Sequence, residues 1–127
     1  MENYYDILEI DRTADEREIK KAYAKMVRMY PPEKCEDEFK KIREAYETLI
    51  NPIARDTYDK MLDYGDEIND LFNSGEKAMD DQDYEKAIQE FKKILVISPA
   101  QPVARNLLGL AYYYTSQYDA AISQFEM

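Results

Sequence analysis

Apolar positions in this chain recur at helical intervals. Ile19, Ala22, Tyr23, Met26, Val27 and Tyr30 fall at i, i+3, i+4, i+7, i+8 and i+11. That spacing places them on one face of an α-helix. Pro31 ends the run, because the residue before a proline is pushed out of the α region. After the loop, Phe39, Ile42, Ala45, Tyr46, Leu49 and Ile50 repeat the pattern. Two amphipathic rods joined by so short a segment should lie antiparallel, stripe against stripe. A shorter apolar piece, "NYYDILEI", comes first, with Tyr5, Leu8 and Tyr4 as its inward candidates. The pattern predicts a capping box at Thr13 to Glu16, ahead of the first long helix. It also predicts a helix starting at Asn51–Pro52, a capping residue followed by a first-turn proline. Gly65 and Asp66 read either as a stop and a new cap or as part of a continuous helix. The expected fold class is all-α.

The second half repeats itself. Gly75, Tyr84, Ala87, Ile88 and Phe91 recur as Gly109, Tyr118, Ala121, Ile122 and Phe125, at a constant offset of 34 residues. A small residue where two helices cross, then a tyrosine, then a helix with alanine and an aromatic on one face, describes a helical hairpin stacked on its copy. From Ile68 to Met127 the chain resembles the tetratricopeptide repeat family, with Pro99 closing the first unit where that pattern places a proline. The second unit is incomplete, and its second helix should be about two turns long, marginal without packing. The expectation is a longer natural chain, or a second molecule covering the open end.

Composition narrows the functional classes. The chain has 127 residues, 35% charged and 45% hydrophobic, with 3 glycines and 5 prolines. That is a globular composition without long flexible tracts. No apolar run approaches a membrane span, and the amino-terminus has no signal-peptide pattern, which points to a cytoplasmic protein. Cys35 is the only cysteine and there is no histidine. No disulfide within the chain, no cysteine–histidine zinc site and no imidazole base can therefore be built. The net charge of −10 disfavours nucleic acid or an anionic membrane as a global partner. Up to Tyr64 there are 12 basic and 16 acidic residues, and beyond it 5 and 11, so any positive patch is local.

One such patch exists. Arg17, Lys20, Lys21, Lys25 and Arg28 share the face of the first long helix that lies away from its apolar stripe. Arg17–Lys21 and Lys21–Lys25 are like-charge i, i+4 pairs, and only Glu16 offers Lys20 a favourable partner at that spacing. A solvated helix face is one reading of these charges and a docking surface is the other.

The order of signals from Asn3 to Leu62 decides what the patch resembles. "YYDILEI", "EIKKAYAKMVRMY", a proline loop and "FKKIREAYETLINPIARDTYD" together resemble a J-domain, the co-chaperone module of the DnaJ family. In that family the loop carries His-Pro-Asp after a tyrosine. Loop and basic helix dock on a DnaK-type (heat-shock 70 kDa) chaperone and speed its ATP hydrolysis. Aligned on Tyr30 and Lys34, Pro31 takes the histidine position, Pro32 the proline and Glu33 the aspartate. Proline supplies none of the imidazole's hydrogen bonds, and glutamate sets its carboxylate one methylene further out. The resemblance thus implies docking through Lys20, Lys21, Lys25, Arg28, Pro31, Pro32 and Glu33, with weak or absent ATPase stimulation. The positions of Ala24 and Met29, often basic in the family, are uncharged here.

In tetratricopeptide proteins the first helix of each hairpin lines a concave face. The register puts Phe72, Asn73, Glu76, Met79, Leu107, Leu110, Tyr113 and Tyr114 there. This is an apolar groove with an acidic edge, suited to a hydrophobic or basic segment and not to an acidic tail. The same residues could instead pack against a further repeat or the J-like unit. Asp80, Asp81 and Asp83 lack the glycine and bidentate glutamate of a calcium loop and read as a helix-turn cluster. Cys35 beside Lys34 reads as a bystander thiol. Of Tyr112, Tyr113 and Tyr114, at least one should be core, since consecutive residues do not share a helix face. No catalytic constellation, metal site or cofactor site can be proposed.

The sequence therefore predicts a J-domain-like unit over residues 1–64 and tetratricopeptide repeats over 66–127. The expected function is that of a DnaJ-like co-chaperone or chaperone adaptor, not an enzyme. The alternative is an interaction scaffold outside the chaperone cycle. Partners would be a DnaK-type chaperone, a peptide or protein ligand of the repeats, and another copy through the open repeat end.

Overall fold

A computed structural model describes residues 2–126 as helices joined by turns, with no strand among them. The order is α1 (Tyr4–Leu8), α2 (Glu16–Met29), α3 (Glu36–Ile50), α4 (Pro52–Asp80), α5 (Tyr84–Ile97), α6 (Pro102–Tyr114) and α7 (Tyr118–Phe125). The chain divides into two compact units, Met1–Arg55 and Asp56–Met127.

In the first unit α2 packs on α3, and α1 packs on both. The buried set, Tyr5, Leu8, Ala14, Ile19, Met26, Ile42, Ala45 and Leu49, is drawn largely from the expected apolar stripes. Tyr23 meets Tyr46 at 4.1 Å between ring centroids, while Met26 and Ile42 line one hollow together. Residues later in α2 therefore face residues earlier in α3, so the pair is antiparallel.

The helix starts show what local chemistry decided. Asn51 caps α4 as expected: its Oδ1 accepts from the amides of Ile53 and Ala54 at 3.0 and 3.1 Å. The capping box of α2 is not the expected Thr13–Glu16 but Asp15–Glu18. Asp15 accepts from the Glu18 amide at 2.8 Å. The reason lies in a distant residue. Arg55 draws the carbonyls of Arg12 and Ala14 to its guanidinium, at 2.6 and 2.7 Å. The Ala14 carbonyl, which a helix capped by Thr13 would turn to the Glu18 amide, is held by Arg55 instead, and that amide goes to Asp15. The interruption expected near Gly65 is present one residue earlier: Tyr64 leaves the helical region, at φ −128° and ψ 20°, so α4 is two helical stretches meeting at a kink. A Cβ at Gly65 would meet nothing within 4 Å, so the kink is not forced by crowding there.

The second unit repeats in its backbone as well as its sequence. Gln82 and Ser116, 34 residues apart, both adopt the left-handed conformation, at φ 60° and 65°. Around Gln82 the Asp83 amide donates to the Ala78 carbonyl at 2.8 Å, and the Gln82 amide to Met79 at 3.0 Å. Around Ser116 the Gln117 amide donates to Tyr112 at 2.8 Å, and the Ser116 amide to Tyr113 at 3.0 Å. Each hairpin turn is thus the same Schellman-type closure of the preceding helix. A Cβ on Gly75 would lie within 3.0 Å of the Phe91 ring, and one on Gly109 within 3.0 Å of the Phe125 ring. At both crossings the ring comes this close because the facing residue has no side chain. Ile68, Ala87, Phe91, Ile94, Ala104, Leu108 and Ala111 are among the residues that make one core. The side chain of Tyr118, one of the recurring positions, lies outside the described residues.

Candidate docking face and its relatives

The basic stripe is solvent-facing. Arg17, Lys20, Lys21, Lys25 and Arg28 are all exposed on α2. Lys20 is tied to Glu16 at 2.9 Å. The hydrogen bond to that carboxylate, and then its charge, raise the Lys20 pKa above the usual lysine value. No ion pair reaches Arg17, Lys21, Lys25 or Arg28 among the described residues. Lys20 and Arg28 flank a hollow of about 440 Å³ floored by Tyr23, Ala24, Val27 and Tyr46. The face thus offers cations on either side of an aromatic and aliphatic strip.

The corner between α2 and α3 is also open. Pro32, Glu33 and Lys34 are exposed, and Pro31 is half-buried. The Pro31 carbonyl accepts from the amides of Lys34 and Cys35, at 3.1 and 2.8 Å, which closes the turn. Glu36, Asp37 and Glu38 occupy the first turn of α3, favourable for its dipole. On the other side of α2 the sign reverses. A hollow of about 370 Å³ there is lined by Glu2, Asp6, Glu9 and Glu38 with Met26, Tyr30 and Lys41.

Arg55 was not identified from the sequence as a structural residue. Besides the two carbonyls, its Nε donates to the Tyr5 hydroxyl at 3.1 Å, and its guanidinium carbon lies 5.6 Å from the Tyr5 ring centroid. One side chain thus joins α1, the segment before α2 and the start of α4. No periodicity marks such a residue, because its partners are backbone carbonyls 41 and 43 positions away.

The repeat residues are divided. Phe72, Met79 and Leu107 pack half-buried at the margin of the second unit's core. Asn73, Glu76, Leu110, Tyr113 and Tyr114 are exposed. Tyr112 is the buried member of its triplet. Unforeseen in the sequence, Tyr84 stacks on Tyr114, with centroids 5.0 Å apart and planes 16° apart, and Tyr113 meets Tyr114 edge-on. Asp83 caps α5 by accepting from the Lys86 amide at 3.3 Å, a helix-turn role. No described helix is long and apolar enough to cross a membrane.

Two antiparallel helices with a short helix across them, a basic second helix and an open loop define the class. Residues 3–59 match the DnaJ domain family, and this segment is a J-domain. Among curated proteins the chain is similar to the chaperone protein DnaJ of Anaplasma marginale, 48% identical over 79 residues, covering 58% of this chain and 19% of that protein. It is similar to the chaperone protein DnaJ of Helicobacter hepaticus, 43% identical over 88 residues, covering 65% and 22%. It is also similar to chaperone protein DnaJ 2 of Aquifex aeolicus, 47% identical over 62 residues, covering 45% and 16%. The match thus spans about a fifth of the length of these relatives. No solved structure matches the chain.

Proposed function

We propose that the protein is a DnaJ-like co-chaperone or chaperone adaptor acting through protein–protein contacts. Its amino-terminal partner is a DnaK-type chaperone in the cytoplasm, docked on Lys20, Lys21, Lys25 and Arg28 and on the Pro31–Glu33 corner. The observation that carries this reading is the exposed, largely uncompensated cationic side of α2 beside a solvent-facing loop, within a J-domain. The loop chemistry sets the expected output. With Pro31 at the histidine position and Glu33 at the aspartate position, binding survives but ATPase stimulation is weak or absent. The second unit, read as tetratricopeptide-like, targets a hydrophobic or basic segment.

Single-turnover ATP hydrolysis by the cognate DnaK-type chaperone, with and without this protein, tests the reading. Little acceleration is expected from the natural chain, and clear acceleration from Pro31→His/Glu33→Asp. Binding should fall in Lys20→Ala/Lys25→Ala. If that variant binds unchanged and the loop variant stays silent, the protein is a scaffold outside the chaperone cycle.

A further inference from the structure

Tyr84, the first residue of α5, and Tyr114, the last of α6, make an aromatic platform between the two hairpins. Their rings stack with centroids 5.0 Å apart, and Tyr113 braces Tyr114 edge-on at 5.7 Å. Tyr114 is nevertheless 51% exposed. That exposure belongs to its position in the hairpin: Asp80, 34 residues earlier, is exposed too, with α5 and α6 following it. The charge around the platform is one-sided. Asp80, Asp81, Asp83 and Glu85 are exposed within four residues of Tyr84, against one cation, Lys86. Asp83 is committed to the cap of α5. Asp80, Asp81 and Glu85 have no ion-pair partner among the described residues.

We infer that Tyr114, backed by Tyr84 and rimmed by Asp80, Asp81 and Glu85, captures an arginine side chain in a basic segment of a partner protein. This rests on the reading of the second unit as a module for a hydrophobic or basic segment, and it names the group that the module recognises. The electron-rich face of a tyrosine attracts a cation, and neighbouring carboxylates add to that attraction. A guanidinium fits both demands. It is flat enough to lie on a ring, it presents a fork of donors to a carboxylate, and it is less strongly hydrated than an ammonium. The chain makes the same pairing internally, where the Arg55 guanidinium lies 5.6 Å from the Tyr5 ring centroid. An acidic segment would be repelled by the rim, and an apolar one would leave its carboxylates unmatched.

The probe is the peptide Gly-Arg-Gly-Arg-Gly with blocked ends, titrated into the whole 127-residue protein and followed by NMR of the tyrosine rings. Saturable shifts of the Tyr84 and Tyr114 signals are expected. Affinity should fall about two- to fivefold when lysine replaces arginine in the peptide. A similar loss is expected in Tyr114→Leu, read on Tyr84, while Tyr114→Phe should bind like the natural chain. Asp80→Asn/Asp81→Asn should weaken binding and flatten its salt dependence. Tyr114 is half-exposed, so circular dichroism of Tyr114→Leu should match the natural chain. If the lysine peptide binds equally well and Tyr114→Leu changes nothing, the assignment is overturned, although the unit still attracts basic segments. If neither of these peptides nor Gly-Leu-Gly-Leu-Gly shifts any signal in Asp56–Met127, the module reading falls with it. Sedimentation showing a dimer that Tyr114→Leu dissolves also overturns the assignment, since the arginine would then come from a second copy.

Discussion

The two units hold themselves together by different means. In the first, an arginine reaches three groups across long stretches of chain, and a modest apolar set fills the space between. In the second, glycines let aromatic rings close on backbone, and alanines let helices approach. A polar tie fails when its charge or its fork geometry is lost. An apolar seam fails when its volume changes. The difference therefore predicts which substitutions each unit tolerates.

The largest effect belongs to the seam. Phe91→Ala should cost about 3–5 kcal/mol, as expected for emptying a fully buried aromatic site. Phe125→Ala should cost roughly 1–2 kcal/mol, because half of its ring is already in water. Urea titrations of the two variants, read by circular dichroism, check the ratio. A similar loss in both would mean that α7 is as well covered as α5.

Next comes the tie. Arg55→Ala should cost about 2 kcal/mol, since charged hydrogen bonds to two carbonyls are lost. Arg55→Lys should recover little of it, because an ammonium cannot span the fork. Hydrogen exchange should show lost protection in α1 and at the start of α2, with α5 and α6 unchanged. Loss spread evenly over both units would erase the contrast.

A finer test compares the glycines. Gly75→Ala pushes a methyl group into a Phe91 ring that has nowhere to go, and overpacking of this kind costs about 1–3 kcal/mol. Gly109→Ala meets a half-exposed Phe125, which can swing aside, so it should be near neutral. Thermal melts of the pair decide the point. The smallest expected effect is a gain. Ser98 is fully buried and its hydroxyl has no partner. Ser98→Ala should therefore stabilise the second unit by about 1 kcal/mol, the desolvation penalty of an unsatisfied group.

What the sequence made legible was whatever repeats or punctuates. The stripes of α2 and α3, the Asn51–Pro52 start and the 34-residue echo all lie in local spacing, and the structure has each of them. What it hid depends on partners remote in the chain, or on conformations that residue type does not announce. Arg55 holds the Ala14 carbonyl away from the Glu18 amide, and Asp15–Glu18 has the capping role expected of Thr13–Glu16. Gln82 and Ser116 hold left-handed turns usually given to glycine, so nothing at those positions signalled the closure. The Tyr84–Tyr114 stack joins two helices whose mutual placement no single-helix pattern encodes. In the candidate docking face, the charges and the loop were readable. The Tyr23–Tyr46 floor between Lys20 and Arg28 needed coordinates.

The polar run on α4 has a directional consequence. Ala104, Leu108 and Ala111 of α6 are buried, while the residues 34 positions earlier, Asp70, Ser74 and Lys77, carry polar side chains. A hairpin laid against those α4 positions would have to desolvate a carboxylate and an ammonium, so the array is closed on that side.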